Sequence, residues 1–190
     1  VAGFTLNSNG TYTFDAADVA YQSLAAGVSQ IITIPVTVTD DANATDTQNL
    51  TITITGTNDA PVLNTITAVT VNEDDSVFSG TITSSDVDAN ATAVYTTTST
   101  VAGFTLNANG TYSFDPSDAA YQSLNAGELQ TITIPVIVTD DQNAASVSKD
   151  LVIKITGTND VPVLNTIVER TVNEDATVII GTITSTDADN

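Results

Sequence analysis

The chain contains no cysteine, histidine, methionine or tryptophan, and only three lysines or arginines among its 190 residues. Without cysteine it has neither disulfide staples nor thiolate metal sites. Without histidine it lacks the usual general base and the usual imidazole ligand for transition metals. Set against 23 acidic residues, the three cations leave a net charge of −20. Such a field repels phosphate backbones and anionic membrane surfaces, so neither nucleic acid nor a bilayer is an expected partner. Long hydrophobic runs are missing too, and no stretch approaches a membrane-spanning helix. Val1 opens no signal-peptide pattern, which leaves room for an internal segment of a secreted protein whose targeting signals lie elsewhere.

What the chain has in abundance is threonine interleaved with valine, isoleucine and leucine, a β-branched composition that favours strands. Ile32, Ile34, Val36 and Val38 alternate with Thr33, Pro35, Thr37 and Thr39, the period of a half-buried strand. Leu50, Ile52 and Ile54 alternate with threonines in the same way, as do Leu151, Ile153 and Ile155 with their neighbours. Phe78, Gly80 and Ile82, and again Ile179, Gly181 and Ile183, form further inward-facing sets. Pro35 and Pro135 cannot donate to a ladder and predict an exposed or bulged side on their strand. Asn9-Gly10 and Asn109-Gly110 predict hairpins. Short helical turns are expected over 19–24 and 119–124. Tyr12, Phe14, Tyr112 and Phe114 are expected in the core or on a sheet face. The fold class is therefore all-β, and strands at this spacing make a β-sandwich.

The chain also repeats itself. Val101–Asp115 copies Val1–Asp15 almost letter for letter; Ala44 aligns with Ala144, and from Leu50 onward the partner is Leu151, so one loop has gained a residue. A period of about 100 residues fits one whole domain per repeat. The clearest boundary is Gly56-Thr-Asn-Asp-Ala-Pro61, recurring as Gly157-Thr-Asn-Asp-Val-Pro162. Linker-to-linker division gives the back part of one domain over 1–59, a complete domain over 60–160, and the front part of another over 161–190. Either partial domain on its own leaves strand edges and half a core uncovered.

The acids gather in predicted loops: Asp59 and Asp160, Glu73-Asp74-Asp75 and Glu174-Asp175, Asp86/Asp88 and Asp187/Asp189, Asp40-Asp41 and Asp140-Asp141. Two carboxylates ~4 Å apart at a surface-like dielectric repel by ~4 kcal/mol, so close clustering calls for a cation. Ca²⁺, with six to eight hard oxygen ligands, suits such distributed loops better than the stricter Mg²⁺. Asp86-x-Asp88-x-Asn90 opens like an EF-hand loop, but Ala91 stands where its glycine belongs and Thr97 where its final glutamate belongs.

The strings Asn-Gly-Thr-Tyr-Ser-Phe-Asp (109–115), Val-Thr-Asp-Asp (138–141) and Ile-Thr-Gly-Thr-Asn-Asp-x-Pro-Val (155–163) resemble the VCBS-type, cadherin-like repeats of large bacterial surface adhesins of the RTX-adhesin class. That resemblance spans essentially the whole chain and recurs in both copies. It implies tandem Ig/cadherin-like β-sandwich (Greek-key) domains with Ca²⁺ between neighbours. By the same resemblance, Asn58 and Asp59 form a linker that takes Asp86 and Asp88 from the next domain, together with Asp40. Asn159 and Asp160 would gather Glu73, Asp115 or Asp118, Asp140 or Asp141, Asp187 and Asp189. Gly56 and Gly157 replace the first aspartate of the cadherin linker motif, which implies one or two ions per linker rather than three.

The leading expectation is a structural extender at the bacterial cell surface, extracellular, whose partners are adjacent repeats of the same polypeptide. A second is a filament subunit, in which other copies of the chain complete the partial domains by strand exchange. A third is a carbohydrate- or protein-binding sandwich, which would require exposed aromatics that differ between the copies. An enzyme is not expected: with histidine and cysteine absent only a carboxylate pair remains, and the acids recur at linkers rather than converging.

Overall fold

The computed structural model describes residues 1–189. Among them are fifteen strands and no helix, and no helix is long and apolar enough to cross a membrane. The strands fall into two compact units. Unit one comprises 1–64, 83–95 and 137–148; unit two comprises 65–82, 96–136 and 149–190.

Unit one is built on two hairpins. β1 (Phe4–Leu6) pairs with β2 (Tyr12–Phe14), and β3 (Ser29–Thr39) with β4 (Thr45–Thr55). The Asn9-Gly10 hairpin forms, but with a longer closure than a two-residue turn. The Asn7 N–H donates to the Thr11 carbonyl at 2.8 Å, and Gly10 takes a φ of +82°, which glycine adopts without a steric penalty. The pairing of β3 with β4 runs through Pro35 opposite Asn49 without a break in register, and of the two alternatives expected there the exposed side is the one found: β3 pairs with β4 alone and Pro35 is exposed. A short pair, β5 (Val62–Leu63) with β8 (Ser84–Ser85), completes the unit's ladders. The stretches predicted as helical turns, 19–24 and 119–124, are strings of reverse turns. Tyr21 N donates to Asp18 O and Leu24 N to Tyr21 O in the first copy, and the second copy repeats this.

Unit two carries the better-covered core. β7 (Phe78–Thr81), β11 (Thr111–Phe114) and β10 (Phe104–Leu106) form a sheet in the order β10-β11-β7. A second sheet orders β6 (Val69–Asn72), β13 (Lys149–Thr156), β12 (Leu129–Thr139) and β9 (Val94–Thr96), of which Val94, Tyr95 and the last three residues of β12 are counted in unit one. β6 runs parallel to β13, with Ile153 opposite Val69 and Thr156 opposite Asn72. The antiparallel register of β12 with β13 is unbroken at Pro135, opposite Asp150. Strict alternation sends Ile134 and Val136 of β12, and Leu151, Ile153 and Ile155 of β13, fully inside, while Thr131, Thr133 and Lys154 face out. Phe114 joins them from the other sheet. The result is the expected all-β sandwich.

Two aromatic contacts hold the turns and strands in place. The Tyr121 hydroxyl donates to the Ala102 carbonyl at 2.8 Å, as Tyr21 does to Ala2 at 2.7 Å. This ties each turn string back to the start of its repeat, and burial pushes the Tyr121 phenol pKa up, helped by the Asp118 charge. Tyr112 lies over its cross-strand partner Gly80, so a Cβ at that glycine would sit 2.5 Å from the ring. Gly80→Val is therefore expected to destabilise the protein by about 1–3 kcal/mol in urea unfolding. In a Tyr112→Ala background, where the ring is gone, the same change should be close to neutral.

Candidate metal centre

The parallel register of β6 on β13 decides where Glu73 goes. The Glu73 N–H continues the ladder to the Thr156 carbonyl at 3.1 Å, and its own carbonyl accepts from the Gln122 amide at 3.1 Å. The side chain is thereby turned onto the loop after β13, where Oε1 accepts the Thr158 N–H at 2.7 Å. The adjacent Asp74 accepts the Thr158 hydroxyl. Glu73 has no solvent exposure, and its Oε2 has no hydrogen-bond partner. One oxygen each of Glu73, Asp160 and Asp189 lie within 4.8 Å of one another.

Asp160 belongs to the Gly157–Pro162 loop. Its N–H donates to Asp189 Oδ2 at 3.0 Å, and the Asp189 N–H donates to Asp187 Oδ1 at 3.2 Å. The Asn159 amide donates to the Asp160 carbonyl at 2.7 Å. Withdrawal from solvent, reinforced by the charges of Asp74, Asp189 and Asp187, raises the Asp160 pKa above the ordinary aspartate value. Crowding by other carboxylates disfavours the charged form relative to a free aspartate.

Unit one repeats this wiring around the earlier loop. The Asp59 N–H donates to Asp88 Oδ2 at 2.8 Å, and the Asp88 N–H donates to Asp86 Oδ1 at 2.9 Å. Here a further acid closes in: the Asn58 amide donates to Asp140 Oδ2 at 2.7 Å. Asp140 Oδ1 accepts the Gln142 and Ala144 N–H groups. The Asn58 bond, more than those backbone bonds, holds the Asp140 pKa below its ordinary value against the opposing cost of burial. The neighbouring Asp141 is also lowered, chiefly by the Thr92 N–H.

The structure places two of the expected acids differently. Asp140 or Asp141 was assigned to the Asn159 loop and Asp40 to the Asn58 loop. Asp140 instead stands against Asn58, because the last three residues of β12 leave unit two and deliver it into unit one. Asp40 turns back on its own loop, with Oδ1 accepting the Ala42 and Ala44 N–H groups. Asp115 and Asp118, the other candidates for the second loop, accept from Ser117 and Ala120 and cap turns. Sequence reasoning passed over Gln122 and Thr158, which orient Glu73; their recurrence as Gln22 and Thr57 was the available signal.

Four buried side-chain oxygens lack a hydrogen-bond partner among the described residues: Glu73 Oε2, Asp86 Oδ2, Asp88 Oδ1 and Asp189 Oδ1. All four are carboxylate oxygens of these two clusters. A buried polar atom without a partner costs about 1–3 kcal/mol, more when charged. Oxygens bound to one Ca²⁺ at about 2.3–2.6 Å are at most ~5 Å apart, a span that Glu73, Asp160 and Asp189 meet. An octahedral Mg²⁺ shell, at about 2.0–2.1 Å, demands a tighter and more regular set. The donor atoms present therefore fit a hard cation of calcium's size.

The glycine that replaces an aspartate in the loop has a steric reason. A Cβ on Gly157 would lie 2.2 Å from the Asn125 carbonyl oxygen, and one on Gly56 would lie 2.2 Å from that of Leu24. Backbone hydrogen bonds fix the approach, Gly157 N to Glu128 O at 2.8 Å and Gly127 N to Gly157 O at 2.9 Å. Those contacts leave no room for a side chain at the position.

The family model described as "Bacterial Ig domain" matches residues 58–154, and the chain belongs to that family. No curated protein sequence matches the chain. Among solved structures it is similar to Drosophila N-cadherin EC1-4, with 14% identity and a TM-score of 0.52 over 99% of this chain and 48% of that one. It is also similar to mouse protocadherin-24 EC1-3, with 17% identity and a TM-score of 0.50 over 99% of this chain and 64% of that one. The chain thus spans about half of the first and just under two thirds of the second. At these identities the likeness establishes a cadherin-like, Ig-type β-sandwich fold.

Two outcomes follow from this geometry. Gly157→Ala should cost more than about 2 kcal/mol in denaturant unfolding, because backbone rather than a flexible side chain must move. Asp160 is the pH test. Its folded pKa lies above the unfolded one, so its contribution is present at low pH and lost as pH rises through the folded pKa. With a chelator present, Asp160→Asn should melt above the parent at neutral pH, and the difference should shrink as pH falls toward about 4.

Proposed function

We propose that the chain is an extender segment of a bacterial cell-surface adhesin. In this reading it is a run of tandem extracellular β-sandwich repeats, stiffened by Ca²⁺ held at the loops between them, that carries a binding domain away from the cell. The repeating module is the stretch between the two Gly-Thr-Asn-Asp loops, residues 60–160. The observation that carries the reading is Glu73, a fully buried carboxylate whose Oε2 is unpaired beside Asp160 and Asp189.

Glu73, Asp160, Asp187, Asp189 and Asn159 would hold one ion set. Asn58, Asp59, Asp86, Asp88 and Asp140 would hold the other. When bound, the cation neutralises the crowded carboxylates and joins groups from distant parts of the sequence through short, strong contacts. The protein's own task is to present those oxygens already oriented, which the Thr158, Gln122 and Asn58 hydrogen bonds do. A loop tied in this way loses its hinge freedom, and a string of sandwiches becomes a rod. Strands of eleven residues give each repeat a reach of about 36 Å along the strand direction. The strong negative charge keeps such rods soluble and mutually repelling.

Thermal unfolding and small-angle scattering with Ca²⁺ or with a chelator test the proposal. Ca²⁺ should raise the melting temperature and lengthen the particle, by about 2.7 kcal/mol of stabilisation at a hundredfold excess over Kd. Glu73→Gln should keep the chelated melting point and lose most of the gain in unit two. Insensitivity of both melting and length to Ca²⁺ would contradict the proposal.

A further inference from the structure

Each copy of the repeat closes a hairpin on an Asn-Gly pair, Asn9-Gly10 and Asn109-Gly110, and the chain has no other such pair. The pair is chemically reactive as well as a turn signal. Because glycine has no side chain in the way, its backbone nitrogen can close on the carboxamide carbon of the asparagine before it. The nitrogen gives up its proton, an N–C bond forms, the side-chain amide leaves as ammonia, and a cyclic succinimide remains. Water then opens the ring at either carbonyl, leaving aspartate or its main-chain isomer, isoaspartate. Asn109 stands exposed at the tip between β10 and β11, within reach of that water.

The hairpin holds the two reacting groups apart. The Gly110 N–H donates to the Asn107 carbonyl at 2.9 Å, and the Gly110 carbonyl accepts the Ile82 N–H at 2.8 Å, so this glycine is pinned at both ends. The Asn109 carboxamide reaches past Gly110 to the next residue. Its Oδ1 accepts the Thr111 N–H at 3.0 Å and the Thr111 hydroxyl at 2.7 Å. Asn107 braces that hydroxyl in turn, its amide donating to Thr111 Oγ1 at 3.0 Å. In the first copy Asn9 Oδ1 accepts from Thr11 at 3.1 and 2.7 Å, and the Gly10 N–H donates to the Asn7 carbonyl at 3.0 Å. The backbone closes the turn by itself, the Asn107 N–H donating to the Thr111 carbonyl at 2.8 Å. The threonine hydroxyl is therefore free to serve the asparagine.

We propose that Asn109 and Asn9 are modification sites, converted to aspartate and isoaspartate through the succinimide, and that Thr111 and Thr11 set the rate by holding each carboxamide off the glycine nitrogen. To react, Asn109 must leave both Thr111 donors and Gly110 must leave the Asn107 carbonyl. Conversion is therefore slow while the hairpin is closed and fast when it opens locally. Either product changes the hairpin. Aspartate adds a negative charge at the tip of a chain already at −20. Isoaspartate threads an extra carbon into the main chain and strains the register that sets Leu106 opposite Tyr112. Water is the only co-reactant and no cation takes part, so the modification stands or falls separately from the extender function.

Incubation of the intact chain in mildly alkaline buffer, read by peptide mass spectrometry and enzymatic isoaspartate methylation, tests the proposal without any variant. Both asparagines should convert at least about tenfold more slowly in the folded chain than in the same chain unfolded in guanidinium. Thr111→Val keeps the backbone donor and removes the hydroxyl. Conversion at Asn109 should then rise about two- to tenfold, the effect of one net hydrogen bond, while Asn9 in the same molecule keeps the parent rate. Thr111→Ser restores the hydroxyl and should return Asn109 to the parent rate. Equal rates in the folded and unfolded chain overturn the proposal, as does a Thr111→Val variant that converts Asn109 no faster than the parent, or a Thr111→Ser variant that behaves like Thr111→Val.

Discussion

A glutamate with no access to water has to satisfy its carboxyl oxygens inside the protein, and Glu73 satisfies only one of them. The Thr158 N–H satisfies Oε1, and nothing satisfies Oε2. Its position is imposed from outside the site. A parallel strand pair sets the height of the residue, Gln122 grips its carbonyl, and the loop after β13 passes beneath because Gly157 carries no side chain. The acidic loops therefore depend on the sandwich for their geometry, while the sandwich sheds like-charge repulsion only when those loops are neutralised. Fold and site are coupled by the same handful of carboxylates.

Much of this was legible in the residues. Period-two alternation placed Ile34, Ile54, Leu151, Ile153 and Ile155 on the buried face, because a strand buried on one face leaves no other register, whereas Val38 of the same series is exposed. The Asn-Gly hairpins were visible as spacing, and the pairing of each linker aspartate with the later Asp-x-Asp was implied by the resemblance to cadherin-like repeats. The destination of Asp140 was not, since it depends on residues 137–148 packing in the same compact unit as Asn58. At Pro35 and Pro135 the residues left two alternatives, an exposed or a bulged side, and the register is unbroken. Proline forbids donation but leaves the pairing intact when its nitrogen faces away from that partner. The turn strings at 19–24 and 119–124 looked helical because Asp15 and Asp18, like Asp115 and Asp118, are good caps. Each aspartate caps a single turn and the chain then reverses.

The internal repeat acts as a control built into the molecule. Tyr12 and Tyr112, or Val38 and Val138, have nearly the same neighbours in sequence, yet Val38 is exposed and Val138 fully buried. Local sequence cannot account for that contrast; it arises from which other segments are present to cover each residue. Stability in a tandem array of this kind lies in contacts between segments far apart in the chain as much as in any one strand. In the proposed extender role, cations held at the loops would stiffen an array without disulfides using only oxygen ligands.

Calorimetric titration of the intact chain with Ca²⁺, alongside Glu73→Gln, bears most directly on the claim that the buried carboxylate is a cation ligand. The account predicts saturable binding by the parent and loss of one class of site in the variant, with the other class, built on Asn58, Asp59, Asp88 and Asp140, retained. Identical isotherms for the two proteins, or no saturable binding by the parent, would contradict it.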